Sequence, residues 1–180
     1  MGTTPALMTV DEFLKLRDVE ERRVELIQGE VVDMPSGGPV HERVKSNLTE
    51  ILVVWLSQHR FGMLFAETGY RVDDHDSLIP DLSVLSSDRV NGKLQDLLRG
   101  APDLAIEIVS SETAARLRTK IRLYLKHGGK AVWAVYPDER VIDLHSANGQ
   151  ITKLEQDQVL EDNDALPGFS TPVNAIFKGL

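Results

Sequence analysis

The sequence predicts an α/β fold: a central mixed sheet with helices packed on it and antiparallel hairpins added. Three observations carry this. Val44, Leu48, Ile51, Leu52, Trp55 and Leu56 recur at helical spacing through Val40 to His59, which makes one long amphipathic helix. Leu104 to Val109 is an apolar run broken only by Glu107, the pattern of a central strand. Arg23 to Met34 alternates around Gln28-Gly29, as two short strands and a turn do.

The remaining elements follow along the chain. Thr9 stands where it can cap a short helix from Val10 to Leu16, with Glu12 three residues on as in a capping box. About the first eight residues read as loosely ordered, and the whole chain, 1–180, as one domain. After the breaker Pro35 to Pro39 and the long helix, Gly62 to Val72 reads as two strands and Asp73 to Asp76 as an acidic loop. Asp81 to Leu85 reads as a short strand led by Pro80, and Ser86 to Gly100 as a polar connection with a helical turn near Leu94 to Leu98. Thr113 to Lys126 reads as a helix stopped by Gly128-Gly129. Strands at Ala131 to Tyr136 and Val141 to Ser146, a weaker one at Ile151 to Leu154, and a turn near Val173 to Phe177 complete the chain.

Composition removes several classes of function. The chain has 180 residues and no cysteine, which excludes a disulfide scaffold, thiolate zinc sites and cysteine nucleophiles, and fits a reducing cytoplasm. Nothing approaches the roughly 18 consecutive apolar residues of a membrane span, and Met1 to Leu16 lacks the pattern of an export signal. A net charge of −8 counts against the non-specific affinity for nucleic acid that a basic domain has. Walker, Gly-x-Ser-x-Gly, His-Glu-x-x-His and dinucleotide-type glycine motifs are all missing.

The chemistry concentrates on Glu107. A carboxylate inside an apolar strand is costly to bury unless it is paired or binds a metal. One reading is an ion pair with Arg118, Lys120 or another cation. The other is a metal site, which needs a second carboxylate nearby. Asp103 shares the strand but lies about 13 Å away along it, too far to share one ion. Asp81 begins a different strand that can lie beside Glu107, so it is the better partner. Two carboxylates completed by water and a substrate phosphate suit Mg2+ or Mn2+ rather than zinc. Such an ion polarises a phosphodiester and lowers the pKa of water. Lys120, on the flank of the Leu117, Ile121, Tyr124 and Leu125 stripe, is the candidate cation for the attacking water or the developing charge. It can equally be a snorkelling side chain. Arg116, Thr119 and Lys126 fall further round, toward solvent.

Pro80-Asp81, then Glu107-Ile108-Val109, then Lys120 on the following helix resembles the PD-(D/E)XK nucleases. The motif lysine ordinarily stands where this chain has Val109; here Lys120 on the helix takes its part, a variation known among these enzymes. The chain is similar in particular to the bacterial family labelled putative restriction endonuclease, many of whose members have no assigned function. The matching stretches are Val24 to Val32, Pro39-Val40-His41, Ile79 to Val84, Ala101 to Ser110, Lys120 with Tyr124, Val132 to Pro137, and Leu166 to Phe169. The resemblance implies a restriction-endonuclease-like fold from about Met8 to Phe177. It also implies metal ligands at Asp81 and Glu107, the lysine at Lys120, and a helping acid at Glu25, whose alternative is a solvent-facing strand residue. His41 falls at the rim of the cleft or serves as a hydrogen-bonded structural histidine. The chain departs from the family at Ser111, where proline is usual. The Glu107–Lys120 link is about one residue short, and the acidic position before the lysine is matched only by Glu112.

The expected function is therefore a Mg2+- or Mn2+-dependent DNA endonuclease, acting as a homodimer because cutting both strands benefits from two symmetric sites. The intact Asp81, Glu107 and Lys120 favour it. The competing expectation is an inactive nuclease-like module for binding or dimerisation, favoured by the acidic balance and the lack of a DNA-reading domain. A metal-dependent phosphatase is a third, weaker reading. Arg89, Lys93, Arg99, Arg116, Arg118 and other cations gather in the half of the chain that carries the site, which allows a local basic rim.

Overall fold

The computed structural model describes residues 7–20, 23–34, 36–90 and 97–180. Its elements in order are α1 (Val10–Glu20), β1 (Val24–Ile27), β2 (Glu30–Asp33), α2 (Pro39–His59), β3 (Gly62–Ala66), β4 (Tyr70–Arg71), β5 (Ser77–Leu78) and β6 (Leu82–Ser86). There follow β7 (Leu98–Arg99), β8 (Leu104–Ile108), α3 (Ala114–Lys126), β9 (Ala131–Tyr136), β10 (Val141–Ser146), β11 (Ile151–Leu154), β12 (Val159–Glu161), β13 (Ser170–Pro172) and α4 (Val173–Ile176).

Period-two alternation in β8 organises the molecule. Leu104, Ile106 and Ile108 face one way, against Val44, Leu48 and Leu52 of α2 and Ile176 of α4. Ala105 faces the other way with Val132 and Ala134, against Leu117, Ile121 and Tyr124 of α3 and Tyr70 and Leu78 beyond. Glu107 shares the parity of Ala105, so its side chain is delivered to the α3 face. The strand is buried throughout because both faces are covered.

The main sheet has six strands in the order β11-β10-β9-β8-β6-β3. β8 and β9 are parallel, joined through α3 as a crossover requires, while β6–β8, β3–β6, β9–β10 and β10–β11 are antiparallel. The sheet is mixed, as expected. A second sheet, β2-β1-β5-β4-β7, carries the N-terminal hairpin, and β12 pairs with β13. The β1–β2 turn places both Gln28 (φ 52°) and Gly29 (φ 77°) in the left-handed region, the geometry that matches strand twist in a two-residue hairpin.

Local signals mostly agree with these elements. The Thr9 hydroxyl accepts from the Glu12 N–H, and Glu12 accepts from the Thr9 N–H at 2.8 Å, a reciprocal capping box. Thr113 caps α3 by accepting from the Arg116 N–H. Gly62 is needed for space: a Cβ there would lie 2.1 Å from the Leu85 carbonyl oxygen across the β3–β6 pair.

The connection before β8 differs from expectation. Leu94 to Asp96 lie outside the described residues, as do Lys93 and residues 1–6, but Leu98 starts a strand rather than closing a helical turn, pairing with Tyr70. Strands β5, β7, β12 and β13 were not legible. Two or three residues are too few for a periodic pattern, and such strands exist because a neighbour supplies the ladder. Among the described residues, no helix is long and apolar enough to cross a membrane.

Candidate metal centre

The β6–β8 register pairs Leu82 with Ile106 and Ser83 with Ala105, so one further step sets Asp81 opposite Glu107. Directly opposed residues of an antiparallel pair bring their Cβ atoms within about 4.5–5.5 Å on the same face. Asp81 is fixed there by its own carboxylate, whose Oδ2 accepts from the Ile108 N–H at 2.7 Å. Asp103, at the far end of β8, belongs to a different group: it accepts from the Ser86 N–H and pairs with Lys130 and Arg89.

Lys120 reaches the same place from α3. Its Nζ donates to Glu107 Oε2 at 2.7 Å and lies 3.1 Å from Glu25 Oε1. The other Glu107 oxygen accepts from the Tyr124 hydroxyl at 2.8 Å. Lys120 is thus buried in the site, not on the flank of the helix where the wheel puts it. The wheel errs because the five-stranded sheet covers a second side of α3, which also buries Leu123 while leaving Leu125 partly open. Glu25 is likewise buried, with its Oε1 accepting from the Ile79 N–H at 2.7 Å; a solvent-facing position is excluded.

The same pocket, of about 60 Å³, is also lined by Glu112, which stands just before α3, and by Arg116, which the helical wheel puts toward solvent. Arg116, Lys120 and Tyr124 are spaced by four, which places them along one line of the helix, and that spacing was available in the sequence. His41, buried on the first turn of α2, sets Nε2 3.0 Å from Asp81 Oδ1 and Nδ1 3.2 Å from Glu42 Oε1. Of the cations expected to form a basic rim, Arg116 and Lys120 line the pocket, while Arg89 and Lys130 are committed to Asp103.

The charge balance of the site is uneven. Burial pushes the Glu107 carboxyl up to about 8; Lys120 opposes this, and repulsion from Glu25, Asp81 and Glu112 adds to it. Burial also raises Glu112. Burial works against the charge on Lys120, but Glu107, Glu25 and Glu112 outweigh it and hold the ammonium above the ordinary lysine range. Carboxylates outnumber the buried cation, so the Lys120 ammonium is held charged while burial opposes the charge on Glu107. Among the described residues no three acidic or histidine side chains converge tightly enough to form a ready-made cage. Asp81 and Glu107, with Glu25 and Glu112 behind them, are nonetheless a set of hard oxygen donors with surplus negative charge, and they fit a divalent cation of the Mg2+ type.

A model of the putative restriction endonuclease family matches residues 10–174. The chain belongs to that family. A solved structure from Anabaena variabilis, described as a putative nuclease belonging to DUF820, is 26% identical and superposes with a TM-score of 0.84. That match covers 94% of this chain and 97% of the other, so the two share one fold along nearly their whole length. No curated protein matches the sequence.

Proposed function

We propose that the protein is a Mg2+-dependent DNA endonuclease of the PD-(D/E)XK type, hydrolysing phosphodiester bonds. The observation that carries this reading is that Asp81, just before β6, and Glu107 of β8 line one pocket, with the Lys120 ammonium 2.7 Å from Glu107. Asp81 and Glu107 would hold the ion. Bound there, a divalent cation supplies Lewis-acid charge beside a phosphodiester and eases deprotonation of an attacking water.

The chain's own groups do the rest. The Ile108 N–H and the Lys120 and Tyr124 donors hold the two carboxylates in place, so little reorganisation is needed when substrate arrives. Lys120 carries a proton that its carboxylate neighbours stabilise, and in this reading its ammonium faces the developing charge on a phosphoryl oxygen. Arg116, on the pocket wall, is a second cation for that phosphate. Cutting both strands of a duplex calls for two symmetric sites, so the same reading expects a homodimer.

The test combines Mn2+ calorimetry with cleavage of supercoiled and single-stranded DNA, in Mg2+ and in Mn2+. Asp81→Asn and Glu107→Gln are expected to lose Mn2+ binding and cleavage together. Lys120→Ala is expected to keep Mn2+ binding and lose about 10² to 10³ in rate; Lys120→Gln serves if the alanine variant does not fold. Equal Mn2+ affinity in wild type and both acidic variants would overturn the metal assignment. Wild-type protein that binds Mn2+ but cuts neither DNA would support the inactive binding or dimerisation module instead.

A further inference from the structure

His41 occupies a place that α2 would ordinarily fill with an apolar residue. The buried positions of the helix are His41, Val44, Leu48, Leu52, Trp55 and Leu56, a stripe at three- and four-residue spacing. At its N-terminal end this stripe runs out over the candidate metal centre, and there the side chain is an imidazole. Both ring nitrogens face carboxylates: Nε2 stands 3.0 Å from Asp81 Oδ1 and Nδ1 3.2 Å from Glu42 Oε1. A carboxylate can only accept, so each contact asks the ring for a proton.

The backbone before the helix is shaped around this ring. A Cβ on Gly37 would lie 2.3 Å from His41 Nδ1 and 2.8 Å from its Cγ. The segment therefore closes on the imidazole only because that residue has no side chain. On the other side, Asp81 Oδ2 is held by the Ile108 N–H. With Oδ1 on His41, the carboxylate plane is fixed by one donor from the sheet and one from α2, leaving a lone pair on each oxygen for a further ligand.

We infer that His41 is the positioning residue for Asp81, orienting this carboxylate for a divalent cation, with Gly37 providing the space and Glu42 steering the ring. The role deepens the metal-dependent reading proposed above and rests on it. Partners that orient a metal-binding side chain typically contribute 10- to 100-fold in affinity.

The experiment is calorimetric titration of the full chain with Mn2+, with thermal unfolding of the metal-free protein run in parallel. His41→Ala is expected to weaken Mn2+ binding by about 10- to 100-fold. His41→Gln places an amide N–H near the position of Nε2 and is expected to stay within about threefold of wild type, a rescue that filling space alone does not give. Gly37→Ala leaves the imidazole chemically intact but displaces it, and is expected to weaken Mn2+ binding in the same direction as His41→Ala. Where His41→Ala does not fold, the Gln and Gly37 variants decide. Wild-type affinity in His41→Ala or in Gly37→Ala, or an equal loss in His41→Gln, would overturn the assignment of His41 alone. Wild-type protein that binds no Mn2+ would overturn the metal reading, and this inference with it.

Discussion

Glu107→Gln in the metal-free protein should become more stable than wild type as pH rises. The glutamine keeps the shape of the side chain: its oxygen can accept from Lys120, and its amide can donate to the Tyr124 hydroxyl, which turns to accept. What it lacks is a titration. In wild type the folded carboxyl is raised from 4.5 to about 8, chiefly by burial. Below pH 4.5 the carboxyl is neutral in the folded and unfolded states, and the two proteins should be equally stable. Above it the unfolded chain ionises freely while the folded chain resists, so wild type loses stability relative to the glutamine variant until pH passes about 8. At about 1.4 kcal/mol per unit, the rise sets a ceiling of about 5 kcal/mol on the difference. Lys120 and Tyr124 respond to the Glu107 charge, so the comparison reports on Glu107 together with these two neighbours. The assay is urea unfolding in chelator at intervals from pH 4.5 to 8.5, followed by Trp fluorescence. Stability curves that stay parallel across this range, or a wild type that gains on the variant with pH, would refute the claim that burial raises the Glu107 carboxyl.

Two structural consequences can be checked in the same way. Tyr124→Phe removes the donor to Glu107 Oε1; it should cost about 1–3 kcal/mol in metal-free urea unfolding, and a neutral outcome would mean that the hydroxyl does not hold the carboxylate. Gly62→Ala puts a methyl against the Leu85 carbonyl and should cost about 1–3 kcal/mol through displacement of β3; unchanged stability would show that the β3–β6 pair yields there without strain.

Much of the fold is written in local pattern. The α2 stripe, the apolar run of β8, the reciprocal cap at Thr9 and Glu12, and the turn at Gln28-Gly29 each involve residues within a few positions of one another, and the structure follows all of them. That Glu107 would need a partner was also foreseeable, because a buried carboxylate in a central strand demands one, and Lys120, one of the cations the sequence offered, supplies it. The four-residue spacing of Arg116, Lys120 and Tyr124 likewise marks one line of α3 in the sequence alone.

What the sequence by itself determined is therefore the longer elements and the buried faces of α2 and β8. Only the tertiary structure decided how deeply Lys120 and Glu25 lie, since that depends on the second sheet closing over α3, a contact between segments far apart in the chain. It alone brought His41 onto Asp81, across forty residues of chain. It alone showed that Asp103, which like Asp81 follows a proline, is spent on Arg89 and Lys130. Periodicity reports which side of an element is buried, because it is fixed by the geometry of one helix or strand; what that side is buried against is set by packing, and packing is where the chemistry of this site is assembled.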